Sequence, residues 1–84
     1  MTMNQRSYQL QYFAMLKEWA GVDKEEMSSS ATTPRELYKE LRDKRNFPLS
    51  DTELRVAING DFTDFDHNLA EGDQIAFIPP VSGG

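Results

Sequence analysis

From Tyr8 to Tyr12 the chain alternates apolar and polar residues, Tyr8-Gln9-Leu10-Gln11-Tyr12, which is the period of a strand with one buried face. Tyr8, Leu10 and Tyr12 point to a core. The polar stretch before them predicts a disordered N-terminus over 1–7. Phe13 then falls where a polar residue is due. From Ala14 the spacing lengthens: Leu16, Trp19 and Ala20 predict one face of a short helix, Trp19 filling the core, with Gly21 at the left-handed position that ends it. Val22 to Ser30 is weakly patterned. Met27 among Glu and Ser predicts a short, edge-like strand, with Ser28-Ser29-Ser30 as its end or a loop.

Thr33-Pro34-Arg35-Glu36 is the clearest local signal. Thr33 accepts a bond from an early helical N–H, Pro34 loses nothing at the first helical position, and Glu36 can reach back to the cap. The helix is predicted from Pro34 to about Lys44, with Leu37, Tyr38 and Leu41 as its buried stripe and Lys39, Glu40, Arg42 and Asp43 in solvent. Phe47 and Leu49 then cover the edge of the core. Leu54 to Ile58 reads as a strand with Leu54, Val56 and Ile58 inward, and Asn59-Gly60 as a tight turn. Phe62 follows in a polar context, and Asp64 to Leu69 is irregular. Glu71-Gly72-Asp73 is a second turn. Gln74 to Ile78 is a strand with Ile75 and Phe77 inward and Ile78 outward, stopped by Pro79-Pro80 because proline donates nothing to a ladder.

One helix across one face of a small mixed sheet is the simplest way to bury a single apolar stripe. The order of elements predicts an α+β fold, a β-grasp (ubiquitin-like) roll. It would have a mixed sheet of four to five strands, one main helix and a short one. Residues 8–78 would form the domain and 79–84 an extended C-terminal tail ending in Gly-Gly.

Composition narrows the chemistry. A chain of 84 residues supports one modest core. It holds 14 acidic and 9 basic residues, a net charge of −5, which argues against nucleic acid and anionic membranes as partners. No stretch has the roughly 20 apolar residues of a membrane span or the layout of a signal peptide, so the expected location is cytoplasmic. With no cysteine there is no disulfide, thiolate metal site or cysteine nucleophile. The single histidine, His67, follows Asp66, but no nucleophile motif accompanies the pair, and scattered carboxylates make no metal site. The simplest role for His67 is local hydrogen bonding in a loop.

Two features remain. Gly83-Gly84 is either a frayed end or a reacting one. It follows a strand and a Pro-Pro stop, so it projects, and two residues without Cβ would pass a narrow channel. Six residues from Pro79 span at most roughly 20 Å, enough to carry the terminal carboxylate into another protein. The other feature is the outward placing of Phe13, Phe62 and Ile78. If the first and last strands are neighbours, Phe13 and Ile78 share a face near the root of the tail and form a docking patch; otherwise the three are edge residues tucked under loops.

The run from Asp64 to Gly84, DFDHNLAEGDQIAFIPPVSGG, with Tyr12-Phe13-Ala14 and the short helix after it, resembles the ubiquitin-like sulfur carriers that form the small subunit of molybdopterin synthases. The resemblance spans the chain after Ser7 and is most specific in its last third; Pro79-Pro80-Val81 favours this branch over carriers for thiamin thiazole or tRNA thiolation. It implies that the Gly84 carboxylate is adenylated by an ATP-dependent enzyme related to ubiquitin activators, then converted to a thiocarboxylate. Gly83 would give clearance, and Pro79, Pro80, Val81 and Ser82 would thread the tail into a large subunit that holds the catalytic groups. There sulfur would build the dithiolene of molybdopterin, in an assembly of two small and two large subunits. The carrier itself would bind no cofactor or metal, and Phe13, Phe62 and Ile78 match the family's docking positions. Ile78 stands where an aromatic residue is common, and Trp19 where a smaller apolar one is. A β-grasp interaction module with no covalent role is the alternative from another class.

Overall fold

The structure, a computed structural model, describes residues 5–80. The expectations for Val81, Ser82, Gly83, Gly84 and the first four residues lie outside the described residues. Five strands, β1 (Arg6–Tyr12), β2 (Lys24–Ser29), β3 (Arg55–Ile58), β4 (Asp61–Thr63) and β5 (Gln74–Ile78), form one mixed sheet in the order β2-β1-β5-β3-β4. β1 and β5 run parallel at its centre, Leu10 opposite Ile75 and Tyr12 opposite Phe77. The other pairs are antiparallel. Helices α1 (Ala14–Ala20) and α2 (Pro34–Arg45) complete the β-grasp, with one 3-10 turn at Asp51–Glu53.

The predicted stripe of α2, Leu37, Tyr38 and Leu41, is buried in one core with Tyr8, Leu10, Tyr12, Val56, Ile75 and Phe77. Burying each such side chain contributes about 1.5–3 kcal/mol. The three tyrosines place their rings in this core and satisfy their hydroxyls at its edge, so the burial leaves no polar group unpaired. Tyr8 donates to the Ala31 carbonyl (2.6 Å), Tyr38 to the Leu49 carbonyl (3.0 Å) and Tyr12 to the Glu25 carboxylate. Burial pushes the Tyr38 phenol up to about 12. Burial and then the bond to Glu25 push Tyr12 above the ordinary phenol range. Arg45 closes on Glu25 at 2.6 Å and on the Ala20 carbonyl at 3.2 Å, tying α2 to β2 and to the end of α1.

Several local expectations need correction. β1 starts at Arg6, so Arg6 and Ser7 belong to the sheet rather than to a disordered terminus over 1–7. They pair with Ser29 and Ser28 of β2, and Arg6 donates to the Leu69 carbonyl at 2.8 Å; ladder bonds order polar residues as readily as apolar ones. Glu36 reaches past the Thr33 cap to the Thr32 N–H (2.9 Å), while Thr33 accepts from the Glu36 N–H as expected. α2 runs to Arg45 because Asn46 takes the left-handed position, φ 58°, which asparagine tolerates. Trp19 does not fill the core but is 44% exposed. Phe47 already occupies the space beneath α1, with the rings of Tyr12 and Tyr38 at 6.0 and 6.2 Å, and Trp19 covers it from outside at 6.3 Å. Phe47 is accordingly interior, 3% exposed, rather than at the edge.

Candidate functional site

Residues opposite one another in a ladder share a face, so the register lays out the outer surface of the sheet in rows. One row crosses all five strands: Lys24, Gln11, Ala76, Ala57, Phe62. The next row towards the end of β5 pairs Ile78 with Arg55, and Phe13 comes one residue after the Tyr12–Phe77 pair. The row on the other side is polar, Glu26, Gln9 and Gln74. The outer face is therefore apolar only at the end where the chain leaves β5.

Local structure sets each of these side chains. Phe13 caps α1 in extended conformation, φ −125° and ψ 151°, continuing the direction of β1. Ala14 then turns the chain with φ 53°, a left-handed conformation that costs an alanine about 1–2 kcal/mol. Phe62 is set by the two-residue turn at Asn59-Gly60, both with positive φ, which fixes Ala57 opposite Phe62. Phe13 is 40% and Phe62 66% exposed, and Ile78 is half-buried. All three line one shallow groove, with Ala57 and Ala76 opposite each other between them. The sequence expectation that Phe13 and Ile78 share a face holds because β1 and β5 are neighbours, and Phe62 joins them across β3.

At the end of β5 the chain passes Pro79, which is buried beside Leu54 and Arg55, and reaches Pro80, which is exposed. Pro79 is thus part of the body, and the chain emerges one residue later than a tail of 79–84 implies. The other candidates, Val81 to Gly84, lie outside the described residues.

The model of the ThiS family matches residues 10–84. The chain belongs to the ThiS family. This ThiS-family chain is similar to the molybdopterin synthase sulfur carrier subunits of Escherichia coli and Haemophilus influenzae. It is 36% and 37% identical to them over 76 residues, 87% of this chain and 94% of each relative. It is also similar to a chain in the solved complex of subunits 1 and 2 of the molybdopterin-converting factor from Helicobacter pylori. The TM-score there is 0.63 at 26% identity, covering 93% of this chain and 99% of that one.

His67 and Asp66 form no working pair in this ThiS-family chain. Arg35 holds both Asp66 carboxylate oxygens, at 3.0 and 3.2 Å, and this hydrogen bonding keeps the Asp66 carboxyl below its usual range. The exposed His67 donates its backbone N–H to the Asp64 carbonyl at 3.4 Å. Among the described residues no three potential metal ligands cluster, and no helix is long and apolar enough to cross a membrane. Sequence reasoning misses Ala57, Ala76 and Arg55. Ala57 is detectable as an apolar residue at an outward position between Val56 and Ile58; Arg55 is not, because only the folded sheet sets it opposite Ile78.

Proposed function

We propose that this chain is the sulfur carrier subunit of a molybdopterin synthase. The observation that carries this reading is the apolar groove of Phe13, Phe62 and Ile78 at the end of the sheet from which the tail emerges. A partner that grips the groove receives the tail in a defined direction, so docking also aims Gly84. The sequence similarity to named carrier subunits supports the same reading.

The chemistry follows from the terminal carboxylate. A carboxylate is a poor electrophile because oxide would have to leave. Attack of its oxygen on the α-phosphate of ATP, in an activating enzyme, breaks the α–β phosphoanhydride bond, releases pyrophosphate and gives an acyl-adenylate whose leaving group is AMP. Sulfur at the sulfide level from an outside donor then attacks the acyl carbon, breaks its bond to the adenylate oxygen, releases AMP and leaves a thiocarboxylate on Gly84, since this chain has no thiol of its own. The tail next enters the large subunit, where the sulfur passes to the pterin precursor. Pro80, Val81, Ser82 and Gly83 lead Gly84 into the channel. The complex of subunits 1 and 2 from Helicobacter pylori supports a large-subunit partner; an assembly of two small and two large subunits in the cytoplasm completes the reading. The carrier binds ATP only through the activating enzyme and needs no metal.

Incubation with a cognate activating enzyme, ATP and a sulfur donor should raise the intact mass by the difference between one sulfur and one oxygen. An unchanged mass with a demonstrably active partner would sink the proposal. The groove has its own test. Phe13→Asp should weaken binding to the large subunit by at least about tenfold, the loss of a buried aromatic anchor. Its melting temperature should hold within a few degrees, because Phe13 is already well exposed to solvent. Binding at full strength would remove the groove from the docking surface.

A further inference from the structure

The two rows nearest the tail hold Lys24, Gln11, Ala76, Ala57, Phe62, Phe13, Ile78 and Arg55, of which two are cations. The acid next in register to Arg55, Asp64, one residue past the Val56–Thr63 pair, is engaged in its own loop, its carboxylate accepting from the Asp66 N–H at 2.9 Å. The cations stand apart: Lys24 on the β2 edge, Arg55 on β3 directly opposite Ile78. The exposed Arg55 enters no ion pair among the described residues; its guanidinium lies over the ring of Phe62, 6.0 Å from the centroid. The nearest acid in sequence, Glu53, lines the same hollow but is engaged in the cap of the 3-10 turn, accepting from the Ser50 N–H at 2.8 Å. By contrast Arg35 and Arg45 are both held by carboxylates of this chain.

Resting on the reading of the chain as a sulfur carrier, we propose that Arg55 is the electrostatic anchor of the docking face and takes a carboxylate of the large subunit at the rim of the groove. The Phe62 ring restrains the guanidinium over it, so less side-chain entropy is lost when a carboxylate binds the donors of Arg55. Phe62 and Arg55 then act as one unit, the ring entering the apolar contact and the cation closing it against water. Placed beside Ile78 and Pro79, the pair grips the partner at the root of the tail, where a small rotation would displace Gly84 most.

The test measures affinity for the purified cognate large subunit across a range of salt concentrations, for the unaltered chain, Arg55→Ala, Arg55→Lys and Phe13→Asp. Arg55→Ala should bind about five- to tenfold more weakly at low salt and show a flatter salt dependence, since one screened charge pair is gone. Arg55→Lys should keep the salt dependence but recover only part of the affinity. An Arg55→Ala chain with unchanged affinity and salt dependence, while Phe13→Asp still loses binding, overturns the anchor and leaves the carrier reading intact. Slower thiocarboxylate formation with normal large-subunit binding also overturns it, by assigning Arg55 to the activating enzyme instead. If the unaltered chain binds no large subunit at all, the carrier reading fails and the anchor with it.

Discussion

A chain lacking Gly84 should transfer no sulfur, yet fold and dock as the full chain does. The core that holds the domain together ends at Phe77, and the last buried residue described is Pro79. Removing a residue five positions further on takes away none of those contacts. What it removes is position. On the carrier reading, the new terminal carboxylate, on Gly83, would stop about 3.3 Å short of the reacting atom of the partner. Misplacement of an attacking group by about 1 Å can already cost a hundredfold in rate, so a shift of a whole residue leaves no measurable turnover. Intact mass after incubation with the activating enzyme reads the first half-reaction, and product formation with the large subunit reads the second. Circular dichroism should give an unchanged melting temperature. A truncated chain that unfolds would make the tail a structural element, and one that still delivers sulfur would remove Gly84 from the chemistry.

The second large effect belongs to the core. Phe77→Ala should lower stability by about 3–5 kcal/mol, the usual cost of emptying a buried aromatic site. A chain of this size has roughly 4–13 kcal/mol in total, so the variant sits close to unfolding, and its melting temperature should fall by about 20–40 °C. The value belongs at the high end of the range because little can collapse into the space. Phe77 is wholly buried on β5, which β1 and β3 pin from both sides. Its ring faces Tyr38 of α2 at 5.2 Å and Phe65 at 6.4 Å, and Tyr38 is anchored by its own hydroxyl. Calorimetry on the variant checks this directly; a fall of less than about 5 °C would mean that the core repacks freely.

Phe77 and Ile78 are adjacent in sequence and opposite in consequence. One is part of the core, the other of the docking face, and the two-residue period of β5 makes that separation legible from the order of residues alone. The same holds for Tyr8, Leu10 and Tyr12, and for the helix opened by Thr33 and Pro34, because each rests on local spacing or a local bond. β4 is harder to read: three residues with one apolar side chain carry too short a pattern to announce a strand, and only pairing with β3 makes them one. Trp19 misleads for a related reason. Helical spacing puts it on the inner face of α1, but the space there is taken by Phe47, a residue 28 positions later.

Local order along the chain was enough to specify the elements of the β-grasp, the Pro-Pro stop and the diglycine end, because periodicity, caps and turn chemistry act over a few residues. Which solvent-facing residues act together depended on the folded arrangement. Phe13, Phe62, Ile78 and Arg55 come from four segments of the chain and share one surface because β5 inserts between β1 and β3. That pairing is long-range: it is selected by the burial of both strands' inner faces under α2, and no local pattern in the chain encodes it.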